Sequence, residues 1–169
     1  LQEARIDLFR TLSPGNGGAS LIDGAVVVRH EVTYVSSLTF RLEAVAVETW
    51  VSDVSGSRFT LEHEIYDEDD DGTRTVYLRA STVLAPYDFR AGRTRPLSTD
   101  ESAALTGLFE KQDASDPVVH PPVVDLPGGQ YPVYVRYSDV DQFGHVDDVP
   151  YFTYFQEARI VLMMHHHRG

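Results

Sequence analysis

The sequence predicts an α+β fold: an antiparallel meander of four strands combined with a helix that is apolar nearly all round. Three observations carry this. Residues 25–86 hold four stretches rich in β-branched and aromatic residues, several of them alternating with a period of two. The run "VPYFTYFQEARIVLMM" (149–164) is apolar on every side, and such a helix wants to be wrapped rather than laid on a surface. The phrase "QEARI" occurs at 2–6 and again at 156–160, with Leu8 and Leu162 matching beyond it.

Taken in order, "LQEARIDLFRTL" (1–12) spaces Ile6, Phe9, Leu8 and Leu12 as a helix does, and "SPGNGG" stops it. Strands are expected near 25–36, 41–54, 57–67 and 73–86. In the second, Leu42, Ala44 and Ala46 alternate with Glu43, Val45 and Val47. In the third, Phe59, Leu61, His63 and Ile65 point one way and Thr60, Glu62, Glu64 and Tyr66 the other. Asp71-Gly72 is a hairpin signal between the last two strands. "LSTDESAALTGLFEKQ" (97–112) reads as a helix capped by Ser98 or Thr99, with Asp100 and Glu101 in its first turn. "YPVYVRYSD" (131–139) reads as one more short strand, and Pro150 is tolerable only in the first turn of the helix that follows.

The domain organisation follows from the repeat. Residues 1–112 supply a helix end, four strands and a capped helix. Residues 113–130, with four prolines and a Gly-Gly pair, form a linker. Residues 131–169 supply a strand and a central helix, the front part of a second unit. A fragment of a tandem protein is the favoured expectation over a circular permutant or a chain with missing pieces, because a permutant does not need the helix twice. The opening at Leu1, inside a helix, fits that expectation.

Composition bounds the partners. The 169 residues are 42% hydrophobic and 24% charged, the balance of a globular protein with a sizeable core. A net charge of −12 argues against nucleic acid and anionic membrane surfaces as partners. Absence of cysteine excludes disulfides, thiolate metal sites and a Cys nucleophile. No run approaches a membrane span or a signal peptide, and a cytoplasmic location is expected. No metal is expected either. Adjacent histidines at 165–167 point in different directions on a helix, and the acidic run 67–71 sits at a hairpin tip without a calcium-loop glutamate.

The chemistry concentrates in "VRYSDVDQFGHVDDVPYFTYFQEARI" (135–160). A strand delivers carboxylates, Gly144 permits a tight turn, and an apolar helix starts just after. The free N–H groups and positive dipole end of such a helix polarise a carbonyl, and a carboxylate beside them activates water or attacks an acyl group. That combination suits acyl transfer to water. Asp and Gly in a strand-to-helix turn are equally what turns and N-caps use, so spacing alone leaves both readings open.

The same stretch resembles the signature of hotdog-fold acyl-CoA thioesterases of the 4-hydroxybenzoyl-CoA thioesterase type. Arg136, Asp139, Asp141, Gly144, His145, Val146, Tyr151, Tyr154, Glu157, Ala158 and Arg159 match in kind, and the meander is similar to the family's sheet. The resemblance implies a hotdog fold, a central apolar α-helix wrapped by a curved antiparallel β-sheet, assembled as a homo-oligomer built from hotdog dimers. It implies Asp141 as catalytic carboxylate and the backbone N–H near Asp148 as the group polarising the thioester carbonyl. Gly144 gives close approach, His145 lines the site, and Asp139 holds the turn. Tyr151 and Tyr154 would lie against the acyl chain, and Arg90 and Arg93, with Arg95, are candidates for the phosphates of coenzyme A. Coenzyme A enters as part of the substrate, and no other cofactor is implied. Where the family has Asn-Asn this chain has Asp147-Asp148, which favours the helix dipole but sets negative charge against an oxyanion. That departure keeps a second reading alive: an acyl-CoA binding or structural half without catalysis.

Overall fold

The computed structural model describes residues 1–12, 21–110, 122, 129–141 and 143–166. Two compact units are present, Leu1–Asp113 and Ala114–Gly169.

The first unit is a five-stranded antiparallel sheet with helices against it. Its elements are α1 (Gln2–Leu12), α2 (Leu21–Gly24), β1 (Ala25–Tyr34), β2 (Ala46–Ser55), β3 (Arg58–Glu68), β4 (Arg74–Asp88), β5 (Arg93–Thr94) and α3 (Thr99–Thr106). The strand order is β1-β4-β3-β2, with β5 on the end of β4. Burial in β3 follows the alternation in its sequence: Phe59, Leu61 and His63 are buried, while their neighbours are not. Register then lines up the inner face, Phe59 opposite Leu84, Leu61 opposite Thr82, and Val51 opposite Leu61. Phe9 of α1 meets Phe59 edge to face at 5.9 Å, and Leu21, Val51, Leu61, Leu84 and Leu105 complete the core. Each fully buried side chain of this size stabilises the unit by about 2 kcal/mol.

Local signals act as expected at two places. The β3–β4 hairpin turns at Asp69–Gly72, where Gly72 has φ +83° and donates its N–H to the Asp69 carbonyl at 2.8 Å. The neighbouring carboxylates also have structural partners: Asp71 accepts the Thr73 N–H, and Asp67 accepts from Arg41 and Tyr77. Ser98 caps α3 in a capping box with Glu101, whose carboxylate also takes a two-pronged bond from Arg95 at 2.7 and 2.8 Å. Arg95 is thereby committed to the fold. Beyond α3, Glu110 and Leu108 bond the Val51 backbone and cover the outer edge of β2.

Three expectations are corrected. The second strand begins at Ala46, not 41: its ladder with β3 starts at the Ala46–Tyr66 pair, and Arg41 meets β3 through its side chain, on Asp67, instead of its backbone. Leu42 is consequently 91% exposed. Helix α3 ends at Thr106 with Gly107 as its C-cap, short of the expected 112. Residues 131–136 are not a strand, because no neighbouring strand among the described residues offers them a ladder; the segment runs into a 3₁₀ turn at Tyr137–Asp139. The short elements α2 and β5 had no signal in the sequence. The stop at 13–18 and most of the linker 113–130 lie outside the described residues, as does His167.

In the second unit the 3₁₀ turn leads through a loop to α4 (Asp148–His166). Phe155, Ile160 and Met163 of α4 are 69%, 45% and 57% exposed. Phe9, which stands at the α1 position matching Met163, is 3% exposed under its sheet.

His63 yields a measurable consequence. It is 1% exposed, with its Nδ1 2.9 Å from the Oγ1 of cross-strand Thr49. Burial, helped by nearby positive charge including Arg5, pushes its pKa from 6.5 down to about 4. The unfolded chain therefore binds a proton that the folded unit refuses between those values. Stability is full above pH 6.5 and is lost progressively as pH falls toward 4, by on the order of 3 kcal/mol. Urea midpoints measured from pH 7.5 to 4.5 should fall for the wild type and flatten in His63→Gln. An equal slope in both would assign the acid sensitivity to other groups.

Candidate active site

The loop between the 3₁₀ turn and α4 is closed by its own backbone. Asp141 N–H donates to the His145 carbonyl at 2.8 Å, Gly144 N–H to the Asp141 carbonyl at 3.1 Å, and Asp147 N–H to the Asp139 carbonyl at 2.9 Å. Val140 and Val146 form an antiparallel bridge across it. Gly144 has φ +83°, which a residue with a Cβ adopts only under strain, so the glycine is required by the turn. Its surroundings are open: an added Cβ would meet nothing within 4 Å.

The two motif carboxylates have different surroundings. Asp139 is 8% exposed and accepts from Tyr154 Oη at 2.5 Å, Arg136 N–H at 2.9 Å and Ser138 Oγ at 3.4 Å. The Tyr154 hydroxyl, then the Arg136 N–H, holds the Asp139 carboxyl below its usual range, and the same bond pushes Tyr154 up to about 12. Asp139 is thus an anchor held in its ionised form at neutral pH. Asp141 is only half-buried. Its Oδ1 accepts the N–H groups of Phe143 at 2.8 Å and His145 at 3.0 Å, and its Oδ2 takes no hydrogen bond among the described residues. One oxygen builds the turn and the other is available to a substrate or a water. His145 is exposed beside it.

The helix start differs from what the motif leads one to expect. Asp147 stands just before α4, and its Oδ1 accepts the Asp148 N–H at 2.7 Å. The donor expected to polarise a thioester carbonyl is therefore already engaged by a carboxylate. Pro150 has no N–H, so of the first three helical residues Val149 supplies the remaining donor. An acid directly before a helix is itself an N-cap signal, and that signal marks Asp147 in the sequence.

The two tyrosines also differ. Tyr151 is 48% exposed and its ring packs edge-on at 6.2 Å from Tyr154, which is buried with its hydroxyl on Asp139. One turn further on, Glu157 reaches Arg136 at 3.5 Å and Tyr131 Oη at 3.4 Å. Asp139, Asp141, Gly144, His145, Asp148, Tyr151 and Tyr154 thus belong to one unit. Arg90 and Arg93 belong to the other, exposed at the β4–β5 turn, where Asp88 Oδ1 accepts the Arg90 N–H at 2.9 Å. The described residues contain no group of three or more potential metal ligands. None of the described helices is long and apolar enough to cross a membrane.

Comparison with known proteins places the fold. The sequence profile of the thioesterase-like superfamily matches residues 1–105, all within the first unit. No curated protein matches the sequence. Among solved structures, one from Lactobacillus plantarum described as an oleoyl thioesterase is 17% identical, with a TM-score of 0.69, covering 93% of this chain and 60% of that one. The 12:0-ACP thioesterase from Umbellularia californica is 17% identical with a TM-score of 0.67, covering 90% of this chain and 62% of that one. A predicted thioesterase from Bacillus stearothermophilus is 21% identical with a TM-score of 0.53, covering 66% and 78%. The two longer chains are spanned for less than two thirds of their length. The architecture common to all three is the hotdog fold, a curved antiparallel sheet with a helix against it.

Proposed function

Because the chain belongs to the thioesterase-like superfamily, whose chemistry is thioester hydrolysis, we propose that it hydrolyses an acyl-CoA thioester with Asp141 as the reacting carboxylate. The observation that carries this is the division of labour at Asp141: Oδ1 is fixed by two backbone N–H groups while Oδ2 takes no hydrogen bond among the described residues. Oδ2 either attacks the acyl carbon, breaking the C–S bond and leaving an Asp141–acyl anhydride that a water then cleaves, or takes a proton from a water that attacks the acyl carbon in its place. In both routes one water is consumed: its oxygen goes to the acyl group, which leaves as a carboxylic acid, and a proton goes to the sulfur, so that the coenzyme leaves as its thiol. The thioester oxygen would be received by the Val149 N–H, or by the Asp148 N–H once Asp147 has released it. His145 and Gly144 shape the approach, and Tyr151 offers an exposed aromatic face to the acyl chain. No further cofactor is called for, and a homo-oligomer of paired hotdog units in the cytoplasm is the proposed setting.

The proposed organisation is tandem: 1–112 as the back part of one unit, 113–130 as linker, 131–169 as the front part of another. The repeat of "QEARI" in α1 and α4 supports it. So does the rise in coverage from 66% against the shorter relative to 90–93% against the longer ones, since the first unit alone is too short to supply it.

One observation favours the second reading, an acyl-CoA binding or structural half without turnover: the Asp147 carboxylate sits on the Asp148 N–H. Hydrolysis over short, medium, long and aromatic acyl-CoAs, followed by released thiol with a thiol-reactive dye, separates the two. The chain has no cysteine and contributes no background. Turnover of at least one substrate is expected. Saturable binding without released thiol on any substrate would establish the second reading instead.

A further inference from the structure

The loop that carries Asp141 is closed by hydrogen bonds among its described residues, and a buried hydroxyl of the helix behind it reaches one of its carboxylates. Three backbone hydrogen bonds and the Val140–Val146 bridge tie its described residues to one another. A buried link to α4 is the hydroxyl of Tyr154 on Asp139 Oδ2 at 2.5 Å. Of the four aromatic residues in the first turns of α4, Tyr151, Phe152 and Phe155 are 48%, 44% and 69% exposed, while Tyr154 is 8% exposed. The Glu157 contacts lie one turn further along, are long at 3.4 and 3.5 Å, and hold Tyr131 and Arg136 ahead of the loop rather than the loop itself.

We propose that Tyr154 is a positioning residue for hydrolysis: its hydroxyl, through Asp139, sets where the loop stands over the start of α4 and hence where Asp141 Oδ2 reaches. This replaces the role the sequence suggests for Tyr154, an acyl-chain contact, and it rests on the reading of Asp141 as the reacting carboxylate. The physical reason is geometric. Asp139 and Asp141 are two residues apart in one closed loop, so a shift at Asp139 is passed on to Asp141. Displacing a reacting group by about 1 Å can cost on the order of 100-fold in rate. Asp139 stays ionised and Tyr154 stays protonated across the neutral range, so the attachment holds there.

The test is steady-state hydrolysis by the full chain and by Tyr154→Phe, Asp139→Ala, Asp139→Asn and the double variant Tyr154→Phe/Asp139→Ala. Helix content is checked by circular dichroism, and Trp50 fluorescence reports on the first unit. Tyr154→Phe keeps the ring and loses only the hydroxyl. It is expected to lower kcat by about 10- to 100-fold with KM within about twofold. Asp139→Ala should lose as much, and the double variant no more than either single one, because the two groups act as a pair. Asp139→Asn retains an acceptor for the hydroxyl and should recover most of the rate. An unchanged kcat in Tyr154→Phe would overturn the inference. So would a raised KM with kcat intact, which would return Tyr154 to the acyl chain. Losses that multiply in the double variant would overturn it as well. A folded wild-type chain with no turnover on any acyl-CoA would instead remove the reading of Asp141, and the positioning role with it.

Discussion

Asp141→Asn is expected to lower thioester turnover by about 1,000-fold or more while leaving both units folded. The substitution is selective because of how the carboxylate is used. An asparagine Oδ1 can still accept the N–H groups of Phe143 and His145, so the turn around Gly144 keeps its geometry. What the amide lacks is the second carboxylate oxygen, the one that would attack the acyl carbon or take the proton from water. Asp141→Ala would be a poorer test, since it removes the turn's acceptor together with the reacting group. The measurement is kcat on the best acyl-CoA of the panel, paired with circular dichroism of the same sample. A variant that is folded and retains more than about a tenth of the wild-type rate would show that Asp141 serves the turn alone. The Asp147–Asp148 pair would then read as ordinary helix capping in a non-catalytic half.

Phe59→Ala is expected to destabilise the first unit by about 4 kcal/mol. Phe59 is fully buried, faces Leu84 across the β3–β4 ladder and takes the edge of Phe9 from α1 at 5.9 Å. Removing it deletes the contact that seats α1 on the sheet, and the surrounding strands cannot close the cavity because their register is held by backbone hydrogen bonds. Trp50 is the only tryptophan in the chain and lies in β2, so urea unfolding followed by its fluorescence reports on this unit. A shift below about 1 kcal/mol would mean that α1 does not pack on the sheet as described. The effect should be additive with changes in the Asp141 loop if the units unfold separately, and coupled if they do not.

Much of this was legible because the physics is local. The alternation of Phe59, Leu61 and His63 is a two-residue period, and β3 buries those residues in turn. Asp71-Gly72 marks a hairpin that needs a positive φ, and Gly72 supplies it. Ser98 and Glu101 form a capping box three residues apart, which depends on nothing beyond one helical turn. The expectations that failed depend on partners distant in sequence. Residues 131–136 carry the pattern of a strand, yet no adjacent strand among the described residues gives them a ladder, and residues 41–45 stop short of the ladder that β2 begins with β3 at Ala46; pattern without pairing does not make a strand.

The candidate site divides along the same line. The sequence by itself determined the family pattern, the Asp139, Asp141 and Gly144 turn and the helix that follows, because each is written in adjacent residues. Only the tertiary structure decided which carboxylate is buried and which is open, and that Tyr154 among four aromatics turns inward to Asp139 fifteen positions before it. It also decided that Asp147 holds the Asp148 N–H. Those assignments depend on where a side chain ends in space relative to groups elsewhere in the fold. A hydrogen bond of 2.5 to 3 Å is set by that position, and residue type and spacing leave it undetermined.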